Sequence, residues 1–180
     1  MIVYQNEVAL WQTLFVMIRR GVKGKVEIVI QKIDQLDTLQ LSSLVEESIK
    51  EGFRHLQRLI NDYESGVNTF DKQGEALFLA YDKENLVGVC GLNQDPYAND
   101  KKVGRVRRMY VSSGSRRKGV GRLLMQAVIT EARRHSSMLV LRTDNPKSDL
   151  FYQSLGFIAD AKSNHYSHVL QLDRHDSKKH

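Results

Sequence analysis

The chain has 180 residues, 41% of them hydrophobic, with 27 lysines and arginines against 21 acidic residues and a formal net charge of +6. That length suits one domain with a real core, and only two prolines argue against long disordered tracts. One cysteine excludes an intramolecular disulfide and suits a reducing cytoplasm, where we expect the protein.

Residues 1–18 read as a helix with a wide apolar stripe through Val3, Leu10, Leu14 and Met17, and Gly21 and Gly24 close it off. Its most apolar stretch, from Val8, is about 11 residues long and too short for a bilayer. Arg19 and Arg20 follow that run instead of preceding it, which argues against a secretory signal. A stripe of this size is expected to be buried, either over the sheet or in a homodimer contact.

Residues 26–30 form the first expected strand. Asp37 is a good N-cap for a helix through Leu39, Leu44, Val45 and Ile49, and Gln40 completes a capping box. Gly52 breaks that helix, and Phe53, Leu56, Leu59 and Ile60 mark a second, ending near Gly66. Residues 76–81 and 86–92 pair as a hairpin, followed by a strand over 105–111. In that strand Met109 and Val111 alternate with period two, but Val106 is out of phase, so a one-residue bulge is expected around Arg107 and Arg108. A central helix over 120–135 and a strand over 138–142 come next. Asn145 and Pro146 then launch a helix to Leu155 as N-cap and first helical residue. Strands at 157–159 and 165–172 complete the pattern, and residues 173–180 read as a frayed tail.

The most informative stretch runs from Val106 to Met125. An apolar strand enters a Ser/Gly turn, then Arg116-Arg117-Lys118-Gly119-Val120-Gly121, and a helix starts at Arg122. Free backbone N–H groups at a helix start, with arginine and lysine beside them, make a phosphate cradle. A P-loop would place Lys and Ser/Thr where Val120 and Gly121 stand, and a dinucleotide fingerprint would place glycine at Leu124. Both fail on the residue that carries their chemistry.

What remains, R-x-x-G-x-G, resembles the coenzyme A diphosphate loop of the GNAT superfamily of N-acetyltransferases. Downstream, Asn145-Pro146-Lys147-Ser148-Asp149-Leu150-Phe151-Tyr152-Gln153-Ser154-Leu155-Gly156-Phe157 is similar to that family's second signature. The resemblance implies an α/β GNAT fold: a mixed central sheet of about seven strands flanked by about four helices. It divides the chain into an N-terminal helical extension (1–24), the acetyltransferase domain (25–172) and a polar tail (173–180).

The function implied is acetyl transfer from acetyl-coenzyme A to a primary amine, directly within a ternary complex. The alternative is a coenzyme A-binding sensor or interaction module without turnover. Cofactor contacts would come from the main chain of Met109, Tyr110 and Val111, from Arg116, Arg117, Lys118, Gly119, Val120, Gly121 and Arg122, and from Asn145 and Ser148. Tyr152 matches the family's general acid, while Asn145 is equally explained as a helix cap. The basic block of Lys101, Lys102, Arg105, Arg107, Arg108, Arg116, Arg117, Lys118 and Arg122 reads as a rim around the phosphates, except that Lys101 and Lys102 read better as a solvated face, so nucleic acid is the lesser explanation of the charge.

The base that deprotonates the amine has several candidates: Glu46, Glu47 and Glu51 in the first helical hairpin, and Asn93 and Asp95 at a strand end. Glutamates there would suit a cationic acceptor. Cys90, inside a strand, reads as a small buried hydrophobe, and His165 and His168 face opposite sides of a strand and make a poor metal pair. No metal and no membrane are expected.

Overall fold

The computed structural model describes residues 28–172. The helix expected over residues 1–18, the dimer contact considered for it and the tail at 173–180 lie outside them. The elements follow in the order β1 (Ile28–Ile33), α1 (Ser42–Lys50), α2 (His55–Glu64), β2 (Ala76–Asp82), β3 (Asn85–Gln94), β4 (Val103–Val111), α3 (Val120–Ala132), β5 (Met138–Leu141), α4 (Pro146–Gln153), β6 (Ile158–Ala159) and β7 (His168–Gln171). The seven strands form one open mixed sheet, as the resemblance implied, and their order is β1-β2-β3-β4-β5-β7-β6. Every neighbouring pair is antiparallel except β4 and β5.

Period-two alternation gives the sheet two apolar faces. On one, Ala76, Phe78 and Ala80 of β2 and Leu92 of β3 pack with Leu124, Met125 and Val128 of α3 and with Phe157. On the other, Leu77, Leu79, Val89 and Tyr110 pack with Leu44 and Val45 of α1, Leu56 and Leu59 of α2, and Phe70. The helices thus lie on both faces, α3 and α4 opposite α1 and α2.

The expected bulge is present. Val89 pairs with Tyr110 but Gly91 pairs with Arg107, so the single residue Cys90 opposes both Arg108 and Met109. Arg108 takes the left-handed conformation, φ 57°, that the extra residue requires. The extra residue puts Val106 on the same core as Met109 and Val111. This resolves the phase conflict visible in the sequence.

The second feature that shapes the site is the seam between β4 and β5. They pair only at Val103–Met138, Gly104–Leu139 and Arg105–Val140. Beyond Arg105, β4 continues for six residues without β5 beside it, and a gap opens toward the C-terminal ends of the two strands.

Three local expectations need correction. Asp37 caps a short 3-10 turn, Thr38–Leu41, ahead of α1, and accepts from the Leu39 N–H at 3.0 Å. Gln40 makes no capping box, because its Oε1 accepts from the Tyr81 hydroxyl at 2.7 Å. Strand β7 begins at His168 instead of His165. Ser163 Oγ accepts from the His165 N–H, a side-chain turn that competes with strand pairing.

Candidate cofactor and active site

The loop between β4 and α3 has the form that a diphosphate requires. Gly119, the N-cap of α3, has φ 88° and offers no capping side chain. Arg117 is also left-handed, at φ 61°. None of the backbone N–H groups from Arg117 to Arg122 donates to an acceptor among the described residues; the first bonded amide of α3 is Leu123, to the Gly119 carbonyl at 3.1 Å. Six successive orphan donors at a helix start form an anion-binding nest. The side chains of Arg117, Lys118 and Arg122 stand exposed around it. At Gly121, an added Cβ would meet Met109 Cε at 3.2 Å and Phe151 Cζ at 3.3 Å, so glycine lets α3 approach β4 and α4 closely. These residues fit a diphosphate.

Arg116 is placed differently from the expectation. Its Nη1 donates to Glu51 Oε1 at 2.8 Å and its Nε to the Val111 carbonyl at 2.9 Å, while its own N–H goes to Ser113. The guanidinium also lies over the Tyr110 ring, 5.4 Å from its centroid. Its side chain therefore braces the loop and is committed before any phosphate arrives.

Of the three strand residues expected to offer their main chain, two face the gap. The Ser112 N–H pairs with the Val87 carbonyl, so by antiparallel alternation Tyr110 and Val89 form the next narrow pair. Met109 and Val111 accordingly turn their polar groups the other way, toward the side β5 has left. Tyr110 instead gives its hydroxyl to Glu51 Oε2 at 2.9 Å. Burial, then that carboxylate, pushes its pKa up.

Tyr152 lies on the α3/α4 face and is 7% exposed. Its ring packs edge-on to Phe151 and Phe157, with centroids 5.2 and 5.7 Å away. Burial raises its pKa, so the phenol keeps its proton at neutral pH. Asn145 caps α4 by accepting from the Lys147 N–H at 2.9 Å, and Ser148 is half-buried one turn ahead of Tyr152. Cys90 is fully buried and its thiol pKa is pushed up by desolvation, which leaves it a poor nucleophile.

The carboxylates considered as bases are largely committed. Glu47 Oε1 accepts from the Ser113 N–H, and Glu51 holds Arg116 and Tyr110. Asp95 is buried in an ion pair with Arg105, and Asn93 exchanges amide hydrogen bonds of 2.9 and 3.0 Å with Asn68. Glu46 is exposed.

The basic rim is also smaller than expected. From Arg105 to Val111 the strand runs about 20 Å, so Lys101, Lys102 and Arg105 sit at the far end of β4 from the loop. Arg108 pairs with Asp62 of α2 at 2.6 Å.

One functional candidate was missed. His55, at the start of α2, lies beside Tyr110, with ring centroids 5.9 Å apart, and next to the backbone of Met109. Its Nε2 is buried without a partner among the described residues. Burial, then the charges of Arg108 and Arg58, hold its pKa below the usual histidine range. Only the α2 packing brings it to the bulge, so a lone histidine after Gly52 gave no signal.

Comparison with known proteins agrees with this geometry. The family model described as the acetyltransferase (GNAT) family matches residues 35–157. The chain belongs to the GNAT family. Acetyl-coenzyme A is the cofactor of that family. A structure from Exiguobacterium sp. 255-15, described as an acetyltransferase, is 27% identical at TM-score 0.72, covering 80% of this chain and 93% of that one. PH1933 from Pyrococcus horikoshii OT3 (20% identity, TM-score 0.63, 82% and 99% coverage) shares the fold. So does yncA from Salmonella typhimurium, whose structure holds its cofactor acetyl-CoA (20%, 0.58, 84% and 98%). No curated protein sequence matches the chain. Among the described residues no acidic, histidine or cysteine cluster could hold a metal, and no helix is long and apolar enough to cross a membrane.

Proposed function

We propose that this GNAT protein is an N-acetyltransferase that moves an acetyl group from acetyl-coenzyme A directly to a primary amine in a ternary complex, in the cytoplasm. The observation that carries this reading is the run of unpaired amides from Arg117 to Arg122, at the mouth of the gap where β4 leaves β5. Those amides, with the side chains of Arg117, Lys118 and Arg122, would hold the diphosphate. The main chain of Met109 and the Val111 N–H, whose carbonyl already accepts from Arg116, would hold the amide-bearing arm, and Asn145 and Ser148 would flank it. Acetyl-coenzyme A supplies an acyl group already activated as a thioester.

The remaining chemistry is proton handling. We assign the acid to Tyr152, whose hydroxyl makes no hydrogen bond among the described residues and whose proton burial retains. His55, on the opposite face of the sheet, has an Nε2 beside the bulge with no partner among the described residues, and we assign it the proton of the amine, taken through water. Acid and base then stand on opposite faces of the sheet beside one strand. The inert Cys90 supports direct transfer over an acyl-enzyme route.

The test is calorimetry with coenzyme A, followed by release of free thiol from acetyl-coenzyme A across an amine panel. Saturable binding with amine-dependent thiol release is the expected result. Binding with no release from any amine would favour the non-catalytic module, and no binding at all would end both readings.

A further inference from the structure

Val106 faces the α3/α4 core, so alternation turns its neighbours on β4 toward α1 and α2. The cations along that face are each matched to a carboxylate, with one exception. Arg105 has Asp95, Arg108 has Asp62 at 2.6 Å, and Arg116 in the loop has Glu51 at 2.8 Å. Arg107 is half-buried, yet it has no ion pair and no side-chain hydrogen bond among the described residues. It stands two residues past Arg105, the last residue bonded to β5, and so at the inner end of the gap. Across the ladder it faces Gly91, whose α1/α2 side is covered by Phe70.

The surroundings of Arg107 are short of acceptors. The two buried side-chain nitrogens without a partner among the described residues are Arg108 Nε and His55 Nε2. Burial and then the charges of Arg107 and Arg58, opposed by Asp62, lower the Arg108 pKa, and Arg58 acts on His55 as well. Arg58 and Arg107 thus act on Arg108 as like charges, and of the three guanidinium groups only Arg108 has a carboxylate partner, Asp62, among the described residues. Like charges held together without a counter-ion are what an anionic ligand relieves, and arginine meets a carboxylate or phosphate with two parallel hydrogen bonds.

We propose that Arg107 anchors an oxyanion, carboxylate or phosphate, carried by the acceptor, so that the substrates are anionic amines. This rests on the acetyltransferase reading and sets its substrate class. It also reverses the expectation of a cationic acceptor, because Glu47 and Glu51, which suggested one, are spent on Ser113, Tyr110 and Arg116.

Matched amines test it. Lysine is compared with cadaverine, which lacks its carboxylate, and O-phosphoethanolamine with ethanolamine, the pairs separating carboxylate from phosphate. At least one anionic member should exceed its partner in kcat/KM by about tenfold or more. Arg107→Gln should erase that margin by raising KM for the anionic amine while KM for acetyl-coenzyme A stays unchanged. Equal or better use of cadaverine and ethanolamine, or an equal loss for both members of each pair, overturns the proposal.

A second measurement needs no turnover. The Arg107 Nε–H resonance of isotope-labelled protein, identified by its absence in Arg107→Gln, is titrated with acetate and with inorganic phosphate, without coenzyme A. A saturable shift with either ion supports the anchor, and none with both removes it. Failure of coenzyme A binding would strike the enzyme reading and the acceptor class that rests on it, whereas this titration reads anion binding at Arg107 by itself.

Discussion

The carboxylate of Glu51 receives both the Tyr110 hydroxyl, at 2.9 Å, and the Arg116 guanidinium, at 2.8 Å, so the end of α1 is fastened at once to β4 and to the loop that follows it. The arginine that opens the phosphate motif therefore works as a brace. Glu51→Ala should leave the half-exposed Arg116 to solvent and the buried Tyr110 hydroxyl without its acceptor, and lower stability by about 1–2 kcal/mol. It should also weaken coenzyme A binding by loosening the loop. Arg116 holds the Glu51 pKa below the usual carboxylate range, so the folded state binds the proton less readily than the unfolded chain. The stabilisation is therefore fully present above the unfolded value of about 4.3 and lost as pH falls through the lower folded value. Urea denaturation of both proteins as a function of pH checks this, and curves that stay parallel down to acid pH would contradict it.

Gly119 sits at φ 88°, where a side chain is strained. Gly119→Ala should weaken coenzyme A binding about tenfold by turning the amides of the nest away from one another. Gly119→Asp adds a negative charge to that strain and should abolish binding. Calorimetry reads both, and an aspartate variant that binds like the wild type would remove the loop from the cofactor site.

Tyr152→Phe removes one oxygen from a ring whose packing against Phe151 and Phe157 is retained. Turnover should fall about 100-fold or more while coenzyme A affinity changes little. Steady-state kinetics with calorimetry on the same preparation separates the two. An undiminished kcat would take the acid role from Tyr152.

His55 is buried in its neutral form, and its folded pKa lies below the unfolded value of about 6.5. The unfolded chain takes up the proton first, so the stability of the wild type should decline as pH falls below that value. Above it the full stability is present. His55→Phe should flatten this part of the profile. Denaturation midpoints between neutral and mildly acid pH measure it, and identical slopes for the two proteins would mean that the histidine is not held neutral.

Most of the architecture was readable because periodicity reports burial. The misfit of Val106 in β4 was enough to place the bulge, since a one-residue shift moves every side chain to the other side. The loop and the cap at Asn145 were legible because their signals are local. What escaped was tertiary. The partners of Arg105, Arg108 and Arg116 come from Asp95, Asp62 and Glu51, separated from them along the chain by between 10 and 65 residues. A block of basic residues therefore looked like one rim when three of its charges, those of Arg105, Arg108 and Arg116, were already matched. His55 was silent for the same reason, because only α2 packing sets it beside Tyr110.

Glycine at position 91 is fixed by a single ring. An added Cβ would lie 2.4 Å from Phe70 Cε1, so Gly91→Ala should destabilise the fold by about 1–3 kcal/mol through overpacking opposite the bulge. Thermal and urea denaturation test this, and a variant as stable as the parent would show that Phe70 can step aside.

The three-residue seam between β4 and β5 divides the sheet into two wings hinged along a short line of ladder bonds. A molecule lying in that cleft would complete the missing rungs and act as a splint between the wings. Occupancy should then slow amide exchange at Met109 and Val111 and raise the melting temperature in step with ligand concentration, so that the enzyme's own substrate level governs how firmly its two halves are joined.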